Sequence, residues 1–162
     1  MTNVTAKSQL DLKLRPLEKG DIDRIVELEK EIFSDPWPRA MFEDYIGWSE
    51  AHFLVALDGS RIVGYAVVEI TPGCGHLTNI AVEPDCRRKS VANRLLDRIF
   101  QIVSSSGCET VHLEVRPSSS EALELYRRWG FRELYRKPNY YRRPVEEAII
   151  MATFLESPPK QK

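Results

Sequence analysis

Cysteine is scarce in this chain: Cys74, Cys86 and Cys108 are its only three, and no two form a CxxC pair. That number and spacing exclude a disulfide-framed small domain and a CxxC zinc site, and read as reduced thiols in a cytosolic protein. No run of about 18 apolar residues occurs, so no membrane-spanning helix is expected. An excess of charge of one sign is missing too. The formal net charge is -1, which excludes a general affinity for nucleic acid or for an anionic membrane. The first residues lack the apolar centre of a signal peptide, and the last ones combine two prolines with lysines. Residues 1–10 and 157–162 are therefore expected as flexible tails around one domain at 11–156. There is no internal repeat. What is present suffices for a full core: 162 residues, 43% of them hydrophobic.

The apolar pattern gives the order of elements. Residues 12–17 alternate as a first strand. Asp21 is placed to cap a helix whose stripe is Ile22, Ile25, Val26, Leu28, Ile32 and Phe33. Asp35-Pro36-Trp37-Pro38 breaks it, and residues 39–48 form a shorter helix with Met41, Tyr45 and Trp48 along one side. Residues 52–57 and 61–70, joined through Asp58-Gly59, read as a hairpin. Pro72-Gly73-Cys74-Gly75 is another turn and leads into a strand at 76–82. The next helix keeps Val91, Leu95, Leu96, Ile99, Ile102 and Val103 on one face and ends near Ser106-Gly107. Residues 110–115 are a short strand of β-formers. Ser118 or Ser119 caps a helix carrying Leu123, Tyr126 and Trp129 inward. Strands at 131–135 and 148–154, with a turn at Pro138-Asn139, complete the chain. The order is βααβββαβαββ. Three consecutive strands imply antiparallel pairing, and the two strand–helix–strand passages imply a parallel centre. The expected class is α/β (α+β), with a mixed, mostly antiparallel central sheet and helices on both faces.

The most informative stretch runs from Asn79 to Leu96. A strand ends at Val82, a Pro-containing turn follows, and Arg87, Arg88 and Lys89 open the amphipathic helix. Amides in a helix's first turn have no intrahelical acceptor and carry the positive end of the dipole. Basic side chains are misplaced there unless an anion joins them, so the arrangement reads as a phosphate site.

Arg87-Arg88-Lys89-Ser90-Val91-Ala92 resembles the cofactor signature of the GNAT superfamily of acetyl-CoA-dependent N-acetyltransferases, Arg/Gln-x-x-Gly-x-Gly/Ala after a strand. Leu113-Glu114-Val115-Arg116, Ala122, Leu125-Tyr126 and Gly130-Phe131 resemble the bacterial ribosomal-protein alanine N-acetyltransferases (RimI-like). Asn139-Tyr140-Tyr141, Ala148-Ile149-Ile150-Met151 and Pro36-Trp37 resemble them as well. The likeness spans roughly residues 12–155.

The resemblance implies a GNAT-like three-layer fold and acetyl-CoA as cofactor. It implies direct transfer to a protein or peptide N-terminal amine, a ribosomal protein among the candidates. It implies no direct nucleic acid or membrane contact, in a cytoplasmic monomer or weak dimer. The strand at 79–82 would splay from that at 110–115, and backbone groups of Ile80, Ala81 and Val82 would pair with the pantetheine arm. The basic turn and helix start, Arg87, Arg88, Lys89, Ser90, Val91, Ala92 and Asn93, would hold the pyrophosphate. A backbone N–H such as that of Val82 would serve the oxyanion. Glu114 would be the base and Tyr126 the acid or hydrogen-bond donor to the departing sulfur. Trp37, Tyr140 and Tyr141 would line a peptide slot, and Ser119 would reach the cofactor. No cysteine falls in a nucleophile motif, so no covalent intermediate is expected.

Strand alternation supports part of this independently: His112, Glu114 and Arg116 share one face, and Val111, Leu113 and Val115 the core face. Taken alone, Glu114 reads as a solvated carboxylate paired with Arg116, and Tyr126 as a core aromatic. An unperturbed glutamate near 4.3 suits an α-amine at about 7.7–8.0 better than a lysine near 10.4. Two positions depart from the family pattern, Ser90 for Gly and Ser119 for Asn. If position 90 requires a positive φ, a serine there costs about 1–2 kcal/mol. A plain helical first turn, the expectation, makes it harmless. His76 and His112 are expected to be structural, and no metal is expected, because no spaced partners flank them. The rival readings are a small-amine or lysine acetyltransferase and a non-catalytic acyl-CoA-binding module.

Overall fold

The computed structural model describes residues 10–88 and 90–155; most of the two expected tails and Lys89 lie outside the described residues. The elements follow the expected order. They are β1 (Leu12–Pro16), α1 (Ile22–Ile32), α2 (Arg39–Asp44), β2 (Ala51–Asp58), β3 (Arg61–Thr71), β4 (Cys74–Val82), α3 (Val91–Ser105), β5 (Thr110–Val115), α4 (Ser120–Arg128), β6 (Arg132–Arg142) and β7 (Val145–Phe154). The strands form one seven-stranded sheet in the order β1-β2-β3-β4-β5-β7-β6. Only β4 and β5 pair in parallel. The second strand–helix–strand passage makes no parallel neighbour, because β7 inserts between β5 and β6. Leu10 and Leu155, at the two ends of the described residues, pack against the core.

Alternation along the strands divides the apolar side chains between two layers. Leu54, Ala56, Val111, Leu113 and Val115 pack under α3 and α4 with Leu95, Leu96, Ile99 and Tyr126. Phe53, Val55, Tyr65 and Val67 pack on the opposite face under α1 and α2 with Ile25, Leu28 and Phe42. Each fully buried Leu, Ile or Phe contributes about 1.5–3 kcal/mol relative to exposure, so both faces are strongly held.

One irregularity opens the sheet. The β3–β4 register slips between Val67 and Val68, pairing them with Asn79 and Leu77 and leaving Thr78 as an extra residue in β4. Such a bulge bends its strand and increases the twist. Beyond it β4 leaves β5: the two pair only at Cys74↔Thr110, Gly75↔Val111 and His76↔His112. The diverging strands form a fork.

Gly64 lets this geometry pack. A Cβ there would meet the carbonyl oxygen of Ala81 at 2.8 Å and Val91 Cγ1 at 3.1 Å, atoms that cannot yield cheaply. Gly64→Ala is expected to destabilise by about 1–3 kcal/mol, like other overpacked cores. Thermal unfolding should register about 2–4 °C per kcal/mol for a chain of this size; an unchanged Tm would show that the strand shifts freely.

Four local expectations are corrected. Asp21 precedes α1 without a side-chain cap hydrogen bond; its carboxylate accepts from Arg15 at 2.7 and 2.9 Å and from the Glu18 amide at 2.8 Å. A charged bidentate partner outcompetes a helix amide. The second helix ends at Asp44 and buries Phe42 and Tyr45, whereas Met41 and Trp48 are exposed. Ser119 takes the N-cap position of α4 but makes no side-chain cap hydrogen bond, and Ser118 donates its hydroxyl and amide to Glu146. There is no turn at Pro138-Asn139. Between Lys137 and Tyr141 the β6 register gains extra residues, with Asn139 at φ 53, and the hairpin turns at Arg143-Pro144.

Candidate active site

Side chains from both faces of the sheet line one cavity of about 380 Å³ at the fork. Glu114 and Tyr126 are both on its wall, as are Ile80 and Ser119. Trp37, from the α1–α2 connection, and Tyr140 and Tyr141, from the β6 bulge, line it as well; among the described residues, Ala81, Val82, Arg87, Arg88, Ser90, Val91, Ala92 and Asn93 of the expected set lie outside it. A cavity shared by α4 and by the α1–α2 side is possible only because the sheet is split there.

Glu114 lies one residue beyond Leu113 on the free part of β5, paired on its other side with Ile150. It does not pair with Arg116. His76 Nε2 donates to Glu114 Oε2 at 2.6 Å. Burial pushes the carboxyl up, but the hydrogen bond from His76 and the charges of His76, His112 and Lys137 outweigh it and hold the group below the usual carboxylate range. Tyr126 is buried against Phe131 and has no hydrogen-bond partner among the described residues. Burial, with Tyr141 nearby, raises its phenol well above the ordinary value, so it stays protonated and can donate a hydrogen bond.

Residues that sequence reasoning missed organise the walls. Glu29, 2% exposed, occupies a stripe position of α1 that should be apolar, the one signal that could have revealed it. Its carboxylate accepts from the Trp37 amide and from Asn79 Nδ2, each at 3.1 Å, and from the Tyr65 hydroxyl. It thus ties the α1–α2 connection to β4. Burial raises its pKa, against the pull of those three donors. Arg116 holds the opposite wall: it donates to Pro144 O at 2.9 Å and Arg143 O at 3.3 Å, pairs with Glu146, and stacks 4.1 Å over the Tyr141 ring.

The open edge of β4 can be resolved residue by residue. The Glu83 amide donates to Val63 O at 2.8 Å, so odd-numbered residues turn their backbone groups toward β3. Ile80 and Val82 therefore present theirs to the gap. Ala81 does not; it faces β3, and its methyl is buried in the α1/α2 core. Ala81 is thereby removed from the backbone set expected to face a cofactor.

A protein-family comparison matches residues 22–131 to the acetyltransferase (GNAT) family. The chain belongs to the GNAT acetyltransferase family. The [ribosomal protein bS18]-alanine N-acetyltransferase of Escherichia coli strain K12 is 31% identical over 140 residues, 84% of this chain and 93% of that relative. An N-alpha-acetyltransferase of Sulfurisphaera tokodaii is 29% identical over 160 residues, 91% of this chain and 95% of the relative. The crystal structure of the Escherichia coli ribosomal-protein-S18-alanine N-acetyltransferase superposes with a TM-score of 0.83 at 26% identity, covering 93% of this chain and 98% of that one.

The residues of this acetyltransferase fit acetyl-CoA, the cofactor of its family. The unpaired edge at Ile80 and Val82 offers a strand-like arm its hydrogen bonds. The first intrahelical bond of α3 is Arg94 N to Ser90 O at 3.0 Å, which leaves the Val91, Ala92 and Asn93 amides without helical acceptors. Arg87 and Arg88 are exposed beside them and form no ion pair among the described residues. Lys89 lies outside the described residues. The Asn93 amide oxygen is occupied, accepting from Trp129 Nε1 at 2.9 Å, which leaves its backbone N–H and its Nδ2 as donors.

Ser90 overturns its expectation. It sits at φ 65, ψ 14, and Arg88 at φ 62, so the turn into α3 requires left-handed residues. The chain must reverse sharply between the end of β4 and the helix start, and a right-handed first turn cannot do that. The acetyltransferase therefore carries the serine penalty of about 1–2 kcal/mol where its family signature has glycine.

Proposed function

We propose that this acetyltransferase modifies a protein N-terminal α-amine by direct transfer. The observation that carries the reading is a bridge between the two acceptor-side walls. Ser34 Oγ donates to Arg143 O at 2.6 Å, tying the α1–α2 connection to the β6–β7 turn that Arg116 anchors. A slot joined at that point suits a chain end better than a lysine flanked by peptide on both sides. The names of the Escherichia coli and Sulfurisphaera tokodaii relatives favour the same class of acceptor, with a ribosomal protein as candidate target. The three free cysteines suit a cytoplasmic location.

Bound acetyl-CoA supplies an acetyl thioester to the site. Ile80 and Val82 would hold its arm by backbone hydrogen bonds, and Val91, Ala92 and Asn93 its pyrophosphate by free amides. Glu114 takes the proton that the amine loses as its nitrogen bonds the acetyl carbon, directly or through a water. Tyr126 donates a hydrogen bond to the sulfur as the carbon–sulfur bond breaks. Trp37, Tyr140 and Tyr141 flank the first residues of the peptide. A carboxylate held below its usual range is a weak base, which also suits an amine already partly neutral at pH 7.

The test is acetylation of peptides beginning Ala-Arg or Ser-Arg, compared with an Nα-blocked lysine peptide and a polyamine, by mass spectrometry and hydrolysis-corrected thiol release. The free N-terminus is expected to win by about 10²-fold or more in kcat/KM, the advantage in neutral amine that the two pKa values give at pH 7. Equal rates on blocked lysine or polyamine would overturn the acceptor class. Binding of CoA with no corrected thiol release on any acceptor would point to a non-catalytic acyl-CoA-binding protein.

A further inference from the structure

Three donor side chains far apart in sequence meet where the β4–β5 fork closes. His76 and His112 are register partners on the two parallel strands, their rings stacked with centroids 4.4 Å apart and planes 8° from parallel. Glu114 follows His112 on the same face of β5 and accepts from His76 at 2.6 Å. One nitrogen of each ring and one carboxylate oxygen all lie within 4.8 Å of one another. We propose that this cluster is a binding site for a transition-metal dication of the Zn2+ class, and that its occupation silences the enzyme by capturing Glu114. The silencing half rests on Glu114 being the base; the binding half does not.

The donor set selects the ion. Two imidazoles and a carboxylate bind Zn2+ with a fourth position left for water, whereas Mg2+ and Ca2+ demand oxygen ligands. Metal–ligand bonds of about 2.0–2.1 Å put tetrahedral donors roughly 3.3–3.5 Å apart. The donors lie within 4.8 Å of one another and so need to close by about 1.5 Å at most, a displacement that rotation of the two rings on fixed strands supplies. Cys74 Sγ lies 2.7 Å from His112 Nδ1, which orients that ring as an outer-shell partner does and leaves Nε2 for the ion. Lys137 on β6 opposes a cation, since its charge reaches both His112 and Glu114. Its flexible ammonium lowers affinity without filling the site. Solvent reaches the cluster, because the His76 and Glu114 side chains are 26% and 17% exposed.

The full chain, stripped with a chelator, is titrated with Zn2+ alone by calorimetry and with Co2+ alone by visible absorption. One site per chain is expected, with Co2+ d–d bands of a nitrogen–oxygen site and no heat from Mg2+. His76→Gln and His112→Gln should each weaken binding by at least the roughly 10–100-fold that outer-shell changes alone cost. Cys74→Ser should still bind; loss of binding there would overturn the ligand assignment. In case a histidine variant misfolds, Zn2+ protection of His76 and His112 in the wild-type chain from diethyl pyrocarbonate gives the same answer. Equal affinity in wild type and both histidine variants, or no binding up to millimolar metal, would overturn the site. Acetylated peptide should fall with the calorimetric midpoint in wild type and not in His112→Gln. Full turnover with the site occupied would overturn the silencing half only. The acceptor reading is tested separately, by the same peptides in chelator.

Discussion

Glu114→Gln is expected to lower kcat on an N-terminal peptide by roughly 10²–10⁴-fold, the reach of general-base assistance. The amide keeps the shape of the carboxyl and can still accept a hydrogen bond from His76, so the cavity wall should persist. What is lost is the capacity to take a proton. The loss should therefore fall on kcat, with a much smaller change in the peptide's KM. Metal-free steady-state kinetics, monitored as acetylated peptide, provide the check, with circular dichroism to establish that the variant folds. A variant turning over at the wild-type rate would remove Glu114 from the chemistry and leave it as a wall residue held by His76.

Tyr126→Phe carries the second large expectation, a fall in kcat of about 10²-fold. The tyrosine is buried and packs edge-on against Phe131 with centroids 5.7 Å apart, a contact that phenylalanine keeps. Its hydroxyl has no partner among the described residues, so removing it breaks no native hydrogen bond. Stability should thus change little while turnover drops. That separation distinguishes a donor to the departing sulfur from a core aromatic. A large loss of Tm with normal turnover in the folded fraction would reverse the assignment. The raised phenol pKa adds that the group is a donor across the physiological range and cannot replace Glu114 as base.

The candidate site was legible where chemistry follows from local pattern. The run of β-formers at 110–115 coincides with β5, and its alternation puts Glu114 opposite the core-facing Val111, Leu113 and Val115. Helical spacing likewise placed Tyr126 on the inner face of α4. The helix start proposed for the phosphates stands out in the sequence because a basic cluster at a helix N-terminus is locally unfavourable without an anion. Glu29 was available in principle, as a carboxylate on an apolar stripe, but only burial reveals that it braces Trp37 and Asn79.

Where expectation failed, a long-range contact had decided. Pro138-Asn139 has the composition of a turn, yet β7 and the Arg116 contacts carry the hairpin on to Arg143-Pro144. Ser118 resembles a helix cap until Glu146, 28 residues later, takes its hydroxyl. Ser90 resembles a helical residue until the reversal from β4 into α3 forces a positive φ.

By itself, then, the amino-acid order determined which segments are helix or strand, which faces are apolar, and which family's motifs the chain carries. Those properties depend on neighbours within a few residues. Tertiary structure alone decided the Thr78 bulge that splits β4 from β5, the bridge from Ser34 to Arg143, and the meeting of His76 with His112 and Glu114. These depend on strand register across a crossover, which is set by the packing of both faces of the sheet at once.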